Sequence, residues 1–271
     1  MRIDIGAHVG NWPFRRYPDE NVGGLLSRMD DSGIDLAFVS NLNAIFYANS
    51  QNGNEELASW IAANRAARGR LIGQAVINPA FPGWRRDLQE CRDKFGFRGI
   101  RLYPEYHDYD FSHPALAEVL GIARDAGLPV TFTLRMIDSR GRSWLDTQKI
   151  KQESEHLLLV DVAGLLGRFS GLRAVVLQTH YMEMTPEGEL ALKAADVLFD
   201  MTRASGCGVV GSNSYDLLAA FAKYGEGKFA YGSMSPFIDV VSPLLRIDTA
   251  DISDTTRAAL WSGNARRFFT L

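Results

Sequence analysis

The sequence predicts an α/β protein built as a single (β/α)8 TIM barrel, with residues 1–271 forming one domain. Three observations support this prediction: the chain length, eight short runs rich in β-branched and aromatic residues, and segments of helical periodicity between those runs. The 271 residues are close to the roughly 250 residues of a typical barrel of this kind. Strict alternation of strands and helices implies parallel strands joined by right-handed crossovers, and eight such units close into a barrel.

The predicted strands are short apolar runs that recur along the whole chain. They are Arg2–His8, Ile34–Ser40, Leu71–Ile77, Phe97–Tyr103, Pro129–Arg135, Leu172–Gln178, Val197–Thr202 and Lys228–Ser233. No linker rich in glycine, serine or proline and no internal sequence repeat divides the chain, so the sequence offers no boundary for a second domain.

Helical periodicity is clearest between the fourth and fifth predicted strands. From Pro114 to Ala126 the apolar residues recur at i, i+3, i+4 and i+7, as Leu116, Val119, Leu120 and Ala123. Pro114 suits the first helical turn, and Gly127 followed by Pro129 is typical of a helix end. The segment from Asn213 to Tyr224 has the same pattern.

The composition excludes several functional classes. A hydrophobic content of 46% with 23% charged residues allows a full apolar core, which excludes a disordered chain. Twenty-nine basic and thirty-two acidic residues give a net charge of −3, so no charge excess is available to bind nucleic acid or an anionic membrane. We therefore expect neither nucleic acid nor a membrane as a partner.

The two cysteines and the apolar segments indicate the compartment. Cys91 and Cys207 match no metal-binding spacing and build no disulfide framework, which suits a reducing cytoplasm. Charges interrupt both the amino terminus and the most apolar later stretch, His156 to Phe169. We therefore expect a cytoplasmic protein that is not exported and does not span a bilayer.

Chemically capable side chains are predicted to meet at the carboxyl ends of the strands. Alternate residues of a strand share a face, so the inward-facing residues can be read strand by strand. They are Asp4, Gly6 and His8, then Arg101 and Tyr103, Thr131, Thr133 and Arg135, Gln178 and His180, and finally Ser233 and Ser235. Two imidazoles, two guanidiniums and a phenol thus converge. One such residue alone would indicate only a structural role, but several together indicate a functional site.

The two arginines predict the charge of the ligand. Arg101 and Arg135 stand at the ends of adjacent strands, and no acidic residue on the same strands is an obvious partner. A guanidinium pair with Tyr103 beside it suits an anion, most plausibly a carboxylate held by two parallel hydrogen bonds.

An aromatic and basic loop follows the first strand. Trp12-Pro13-Phe14-Arg15-Arg16 lies in one of three long irregular stretches, all of which leave a strand at its carboxyl end: Gly10–Glu20, Pro104–His113 and Met136–Glu155. This loop suits a lid that excludes water from an anionic ligand. It equally suits a packed loop in which Trp12 and Phe14 seal the top of the barrel.

Five segments in order along the chain resemble the landmarks of one family. They are Asp4-Ile5-Gly6-Ala7-His8, Gly96-Phe97-Arg98-Gly99-Ile100-Arg101-Leu102-Tyr103-Pro104, Gly127-Leu128-Pro129-Val130, Gly232-Ser233-Met234-Ser235-Pro236-Phe237 and Gly263-Asn264-Ala265-Arg266-Arg267-Phe268. The pattern resembles the amidohydrolase-related (amidohydrolase 2) branch of the metal-dependent hydrolase superfamily. The resemblance implies a (β/α)8 barrel with a divalent metal at its mouth, which hydrolyses or decarboxylates small, often carboxylate-bearing substrates.

The metal ligands that the resemblance implies are mostly replaced in this sequence. Of the family's His-x-His on the first strand only His8 remains, because Gly6 stands at the other position. The histidine after the fifth strand is replaced by Thr133, and the aspartate after the eighth strand by Met234. The sixth-strand histidine falls at or near Gln178, with His180 two residues further on.

Three protein ligands are the usual minimum for a catalytic zinc, so we predict that the standard metal site is lost and that the protein needs no cofactor. Gly6 is expected to leave a space of imidazole size in the mouth, which a substrate or Arg135 would fill. A rebuilt metal site from His107, Asp108, Asp110 and Asp138 is the less favoured alternative.

Three functions are compatible with these residues. The first is a metal-independent hydrolase or lyase acting on a small anionic organic substrate, and the second a catalytically silent barrel retained for ligand or partner binding. The third is a metal-dependent hydrolase with altered ligands. In the enzyme hypothesis the acid/base residues are His8 and His180 and the oxyanion donor is Tyr103, and the substrate is bound by Arg101, Arg135, Gln178, Trp12 and Ser233. A homodimer is expected by analogy with the family.

Overall fold

A computed structural model of the protein describes residues 1–133, 159–177, 184–201, 217–237 and 240–271. Within these ranges short strands alternate with helices. The strands are β1 (Ile3–Val9), β2 (Leu36–Asn41), β3 (Leu71–Gly73), β4 (Ala75–Val76), β5 (Ile100–Leu102), β6 (Val130–Thr133), β7 (Arg173–Leu177), β8 (Asp196–Asp200) and β9 (Phe229–Ala230).

The helices lie between and after these strands. They are α1 (Val22–Asp31), α2 (Asn43–Phe46), α3 (Ser50–Ala63), α4 (Trp84–Asp93), α5 (Pro114–Asp125), α6 (Leu159–Arg168), α7 (Pro186–Ala194), α8 (Leu217–Tyr224), α9 (Val241–Thr249), α10 (Asp254–Ala258) and α11 (Asn264–Phe269). No helix in the described ranges is long and apolar enough to cross a membrane.

All the strand pairs are parallel and follow chain order, from β1 to β3 and from β4 to β9. β3 and β4 are the two halves of one predicted strand, interrupted at Gln74. The Ile5 amide donates to Tyr231 O at 3.0 Å, which joins β1 to the segment after β9. The eight predicted strands are confirmed in their described residues; the end residues Arg135, Gln178 and Thr202 lie outside them.

One irregularity in β1 determines which side chains face the interior. Asp4 pairs with Ala37 but Ala7 pairs with Val39, so β1 contains an extra residue between them. Ile3 and Ile5 pack in the inner apolar cluster, whereas Ala7 and Val9 pack in the outer one, against the helices. The uniform alternation predicted for Asp4, Gly6 and His8 is therefore wrong at the start of the strand, because the bulge switches the face.

The last helix closes the amino-terminal end of the barrel. The Phe269 ring of α11 stacks on Phe38 of β2 with ring centroids 3.7 Å apart. Arg173, the first residue of β7, donates to Phe268 O at 2.7 Å. Because α11 covers this end, the site lies at the carboxyl ends of the strands, where barrels carry their active sites.

The helix ends follow the sequence signals. α5 begins with Pro114 in its first turn, and Gly127 beyond its end adopts a φ of +64°, as its predicted role requires. In α1 the Asn21 side chain caps the helix by accepting from the Gly24 amide at 2.9 Å.

Gly53 allows α2 and α3 to approach closely. A Cβ atom at this position would lie 2.5 Å from Ala44 Cβ and 2.6 Å from Ala44 Cα, which is too short for any side chain. Neighbouring Asn41 uses this approach, because its Nδ2 donates to Gly53 O at 2.9 Å.

We predict that Gly53→Ala lowers the free energy of unfolding by about 1–3 kcal/mol, since the added methyl group meets backbone atoms that cannot move independently. The same change at Gly121 in α5, where no atom lies within 4 Å of the new Cβ, is expected to raise it by up to about 1 kcal/mol. Urea unfolding of both variants checks the pair. Equal stabilisation by both would contradict the close approach.

Candidate active site

Four of the predicted site residues meet in the interior at the carboxyl ends of the strands. His8, Arg101, Tyr103 and Ser233 are all fully buried. Trp12 lies above them and is 2% exposed. The predicted residues Arg135, Gln178 and His180 lie outside the described residues.

The Arg101 guanidinium is held by neutral acceptors. Its Nε donates to Thr133 Oγ1 at 3.1 Å, and its Nη1 donates to Ala7 O at 3.0 Å and to Ser40 Oγ at 3.1 Å. Its Nη2 lies 3.8 Å from Met234 Sδ, which is a weak acceptor. This last nitrogen is therefore the least satisfied donor of the group.

The charge of Arg101 is balanced at longer range. Among the described carboxylates none lies within 4.0 Å of the guanidinium, yet Asp4 and Asp200 are both buried and favour its charge. Burial lowers the pKa of Arg101, and Tyr103, Asp4 and Asp200 oppose that shift. Both carboxylates lie on other strands than Arg101, and the field of a buried carboxylate acts beyond hydrogen-bond distance.

His8 is a neutral imidazole with one free nitrogen. Burial, and then the nearby Arg101 charge, hold the pKa of His8 well below its usual range. The Nδ1 atom lies 3.3 Å from Ser235 O, and because a carbonyl only accepts, this nitrogen carries the proton. Nε2 is buried and has no hydrogen-bond partner among the described residues. Nε2 therefore has a lone pair available to accept a proton.

Ser233 fixes the backbone of Ser235, whose carbonyl oxygen is the hydrogen-bond partner of His8. Asp4 Oδ1 accepts from the Ser233 amide at 2.9 Å, and Asp4 Oδ2 accepts from the Ser233 hydroxyl at 2.5 Å. Ser233 Oγ in turn accepts from the Ser235 amide at 2.9 Å. The bonds run from Asp4 on β1 to Ser235, whose carbonyl faces His8. Burial raises the pKa of Asp4.

Tyr103 lies between the guanidinium and the imidazole. Its hydroxyl is 2.9 Å from Ser40 Oγ, and Arg101 lies over its ring, 5.6 Å from the centroid. The ring centroids of Tyr103 and His8 are 6.4 Å apart. Burial raises the pKa of Tyr103, so the phenol keeps its proton and can donate it in a hydrogen bond.

An aromatic cluster covers the mouth above these groups. The Trp12 ring makes edge contacts with four other rings at centroid distances from 4.9 to 5.9 Å, namely Phe14, Phe46, Tyr106 and Phe237. Phe237 also meets His8 edge-on at 5.5 Å. Trp12 Nε1 is buried without a hydrogen-bond partner among the described residues. The loop is thus packed onto the site, as either a closed lid or a permanent seal would be.

Two residues of the site were not found from the sequence. Arg28 of α1 donates from Nε to Ser235 Oγ at 3.0 Å and from Nη1 to Asp19 O at 2.9 Å, which ties the end of the lid loop to the partner of His8. Arg28 lies on a helix, so a search of the strand ends alone does not find it. Asp200 lies at the end of β8, two residues after Leu198, which packs on the inner face. The alternation rule, applied to the predicted strand Val197–Thr202, therefore finds Asp200.

The space opposite Gly6 is filled by the protein itself. A Cβ atom at Gly6 would lie 3.3 Å from Leu177 Cδ2 and 3.5 Å from Leu177 Cδ1. The expectation of an empty space of imidazole size is therefore wrong. A leucine at the end of β7 occupies the volume.

The described residues do not fit the divalent metal that the family implies. They contain no group of three His, Cys, Asp or Glu side chains able to hold an ion, so His107, Asp108 and Asp110 form no rebuilt site. The guanidinium of Arg101 contacts Thr133 and Met234, which stand at two positions where the sequence resemblance implies metal ligands. A second cation there would be repelled. The other residue of the rebuilt-site alternative, Asp138, lies outside the described residues.

A comparison with protein family models gives a match to this chain. The amidohydrolase family model matches residues 3–192, which is more than half of the chain. The chain belongs to this family. A search of curated protein sequences found no match to this chain.

Several solved structures share the fold. 5-Carboxyvanillate decarboxylase from Sphingomonas paucimobilis has a TM-score of 0.73 at 17% identity, covering 100% of this chain and 99% of that one. The manganese-bound 5-carboxyvanillate decarboxylase of Novosphingobium aromaticivorans gives 0.74 at 15%, with 100% and 96% coverage. 2,6-Dihydroxybenzoate decarboxylase from Rhizobium gives 0.71 at 15%, with 99% and 98% coverage. These likenesses confirm the TIM-barrel fold.

The neutral state of His8 predicts how stability changes in acid. The imidazole of the unfolded chain titrates near 6.5, whereas burial keeps the pKa in the folded protein well below that value. Below about pH 6.5 the unfolded chain therefore takes up a proton that the folded protein refuses, and the free energy of unfolding falls with pH. We predict that His8→Asn removes up to about 1.4 kcal/mol of this fall for each pH unit.

Urea unfolding between about pH 7 and pH 5.5 measures the two slopes. His113→Asn, which makes the same change outside the site, is unfolded in parallel as the matched control. Parallel curves for wild type and His8→Asn would show that His8 is not buried in its neutral form.

Proposed function

We propose that this amidohydrolase family member is a lyase that decarboxylates a small carboxylate-bearing substrate in the barrel mouth, without a divalent metal. Hydrolysis in the same pocket is the alternative within this proposal, because both reactions need the same proton-transfer group. The observation that carries the proposal is the free Nε2 of His8 beside the buried Arg101 cation.

The state of His8 supports a catalytic role. A buried nitrogen without a partner costs roughly 1–3 kcal/mol, so a residue with a purely structural role would be expected to satisfy it. Here Ser235 O orients the ring through Nδ1, and Nε2 has no hydrogen-bond partner among the described residues. A fixed tautomer with one available lone pair is what a general base requires.

Arg101 supplies the positive charge of the site. Its Nη2 has only Met234 Sδ as a neighbouring acceptor, so this nitrogen can donate to a substrate oxygen without breaking the other bonds of the guanidinium. The Tyr103 hydroxyl is the second donor, for charge that develops on oxygen during the reaction. In the proposal Trp12 and Ser233 line the substrate, and Arg135, Gln178 and His180 complete the pocket.

The proposed decarboxylation takes up one proton overall. In decarboxylation the bond between the carboxylate carbon and its neighbour breaks, carbon dioxide leaves, and the electron pair stays on the neighbouring carbon. That carbon takes up one proton, which His8 first accepts at Nε2 from a substrate hydroxyl and then donates to the carbon. The oxyanion left on the substrate then takes up a proton from solvent. In the hydrolytic alternative His8 accepts a proton from water as the water oxygen bonds to the substrate carbonyl carbon. The bond from that carbon to the leaving group then breaks, and His8 returns the proton to the leaving group.

The solved structures that share the fold support the lyase reaction, but one of them holds a metal ion, which the proposal does not assign to this chain. The three solved structures are decarboxylases of aromatic carboxylates, and the Novosphingobium structure holds manganese. In this chain Arg101 contacts the residues at two of the ligand positions, so the proposal assigns the cationic role to a guanidinium. A guanidinium stabilises a carboxylate or an oxyanion by charge-assisted hydrogen bonds.

A catalytically silent barrel is the second candidate, and the packing of Trp12 favours it. Trp12 is almost fully buried against four aromatic rings over His8 and Arg101, which is how a sealed pocket would look. In that case the barrel would serve ligand or partner binding at another surface. The test below separates the two candidates.

We predict that the purified protein releases labelled carbon dioxide from at least one member of a panel of carboxyl-labelled hydroxybenzoates and keto acids, and that EDTA leaves the rate unchanged. His8→Asn should lower this rate by roughly 10²–10⁴-fold, because the proton acceptor is lost. Mass spectrometry of the released gas measures the rate, and His113→Asn is the matched control.

Activity that appears only with added manganese and disappears with EDTA would contradict the proposal in favour of a metal-dependent enzyme with altered ligands. Hydrolysis of lactones or esters of the same acids, tested in a second panel, without gas release from the free acids, would select the hydrolytic alternative. If no compound is turned over and none raises the melting temperature, the silent barrel takes the place of the enzyme.

A further inference from the structure

Three hydrogen-bond donors converge on one carboxylate beside the lid loop (residues 10–20). Glu56 lies in α3 and is half-buried. Its Oε2 accepts from Asn43 Nδ2 at 2.9 Å and from Asn41 Nδ2 at 3.0 Å, and its Oε1 accepts from Tyr47 Oη at 2.8 Å. Burial raises the pKa of Glu56, but the hydrogen bonds from Asn43, Tyr47 and Asn41 outweigh burial and bring the pKa below its usual value. Glu56 is therefore ionised at neutral pH.

The carboxylate orients the side chains of Asn41 and Asn43. An ionised carboxylate only accepts, so each carboxamide directs its Nδ2 towards Glu56 and its Oδ1 away from it. Asn43 Oδ1 accepts from the Asn11 amide at 2.9 Å, and Asn41 Oδ1 accepts from the Asn43 amide at 3.0 Å. Asn11 lies at the start of the lid loop, so Glu56 acts on this loop through Asn43.

The lid loop begins and ends at a narrow neck. The Gly10 amide donates to Glu20 O at 2.7 Å, and Gly10 and Asp19 adopt φ values of +98° and +54°. A Cβ atom at residue 10 would overlap Asn41 Oδ1, so the carboxamide also packs directly against the neck. The bond from Asn11 to Asn43 fixes the direction in which the loop leaves this neck.

The same carboxylate holds α2, which forms part of the cover over the mouth. Phe46 at the end of α2 makes edge contacts with Trp12, Phe14 and Tyr106 at centroid distances from 5.3 to 5.7 Å. Glu56 binds the first residue of α2 and the residue that follows its end. The lid loop and α2, which meet at Trp12, are therefore both held by Glu56.

We infer that Glu56 is a positioning residue that keeps the lid loop and α2 closed over His8, and that this cover opens when its contacts with Glu56 break. These contacts are hydrogen bonds at a partly exposed edge, where Tyr47 is 38% exposed. Water can replace them at a small net cost, as an opening lid requires. The inference needs only that His8 lies beneath the cover, so it stands whether or not the proposed reaction takes place.

Modification of His8 by diethyl pyrocarbonate measures how often the cover opens in the full-length protein. The reagent acylates an unprotonated imidazole nitrogen, so it reacts with Nε2 of His8 only when the mouth is open. Glu56→Gln replaces one acceptor oxygen by a donor group and should raise the rate of this modification about 10- to 100-fold. Glu55→Gln, which changes an exposed neighbour on the same helix, should leave the rate unchanged. Mass spectrometry measures the modification of His8, with the partly exposed His113 as internal reference.

A double-mutant cycle tests whether Glu56 acts through Asn43. Asn43→Ala should raise the rate of His8 modification to a similar degree. Glu56→Gln combined with Asn43→Ala should raise it no further, because both changes remove the same hold on Asn11. Amide hydrogen exchange should increase in residues 10–20 of these variants and keep its wild-type rate in β1, since the opening is local and not an unfolding of the barrel.

Four results would overturn the inference. His8 could stay unreactive in every variant, as it would beneath a permanent seal, or Glu56→Gln could react at the wild-type rate. The effects of the Glu56 and Asn43 substitutions could add, which would show that the two residues act separately. Exchange could increase in β1 as much as in the lid loop, which would show that Glu56 stabilises the whole barrel and not its cover.

Discussion

The buried guanidinium of Arg101 is the constraint on which the arrangement of the barrel mouth depends. A fully buried cation is stable only when its donors are satisfied and its charge is balanced. Ala7, Ser40 and Thr133 provide the acceptors from three different strands, and Asp4 and Asp200 balance the charge from a greater distance. Thr133 and Met234, which contact the guanidinium, are neutral and compatible with this cation.

The same cation and the segment after β9 determine the state of His8. Arg101 and burial keep the imidazole neutral, and Ser235 O fixes its tautomer. Ser235 is held by Ser233 on one side and by Arg28 on the other, and Arg28 also binds the end of the lid loop. His8 and the loop that covers it are therefore connected through Ser235 and Arg28.

The barrel could be predicted because each strand is a short apolar run with a clear period and each crossover has a helical one. Alternation along the strands also predicted that His8, Arg101, Tyr103 and Ser233 would meet, and they do. Alternation alone does not find the bulge in β1, and the local signal for it is Gly6, since an isolated glycine within a strand often marks a bulge. The filling of the Gly6 space by Leu177 and the contact of Arg28 with Ser235 depend on packing between distant segments, which strand periodicity does not report.

The central claim is that a guanidinium, and not a metal ion, is the resident cation of the mouth. Elemental analysis of protein produced in medium supplemented with manganese and zinc tests it most directly. The account predicts well under one equivalent of any divalent metal per chain, and a melting temperature that EDTA does not change. One tightly held equivalent of metal, with a melting temperature that falls when EDTA removes it, would contradict the claim.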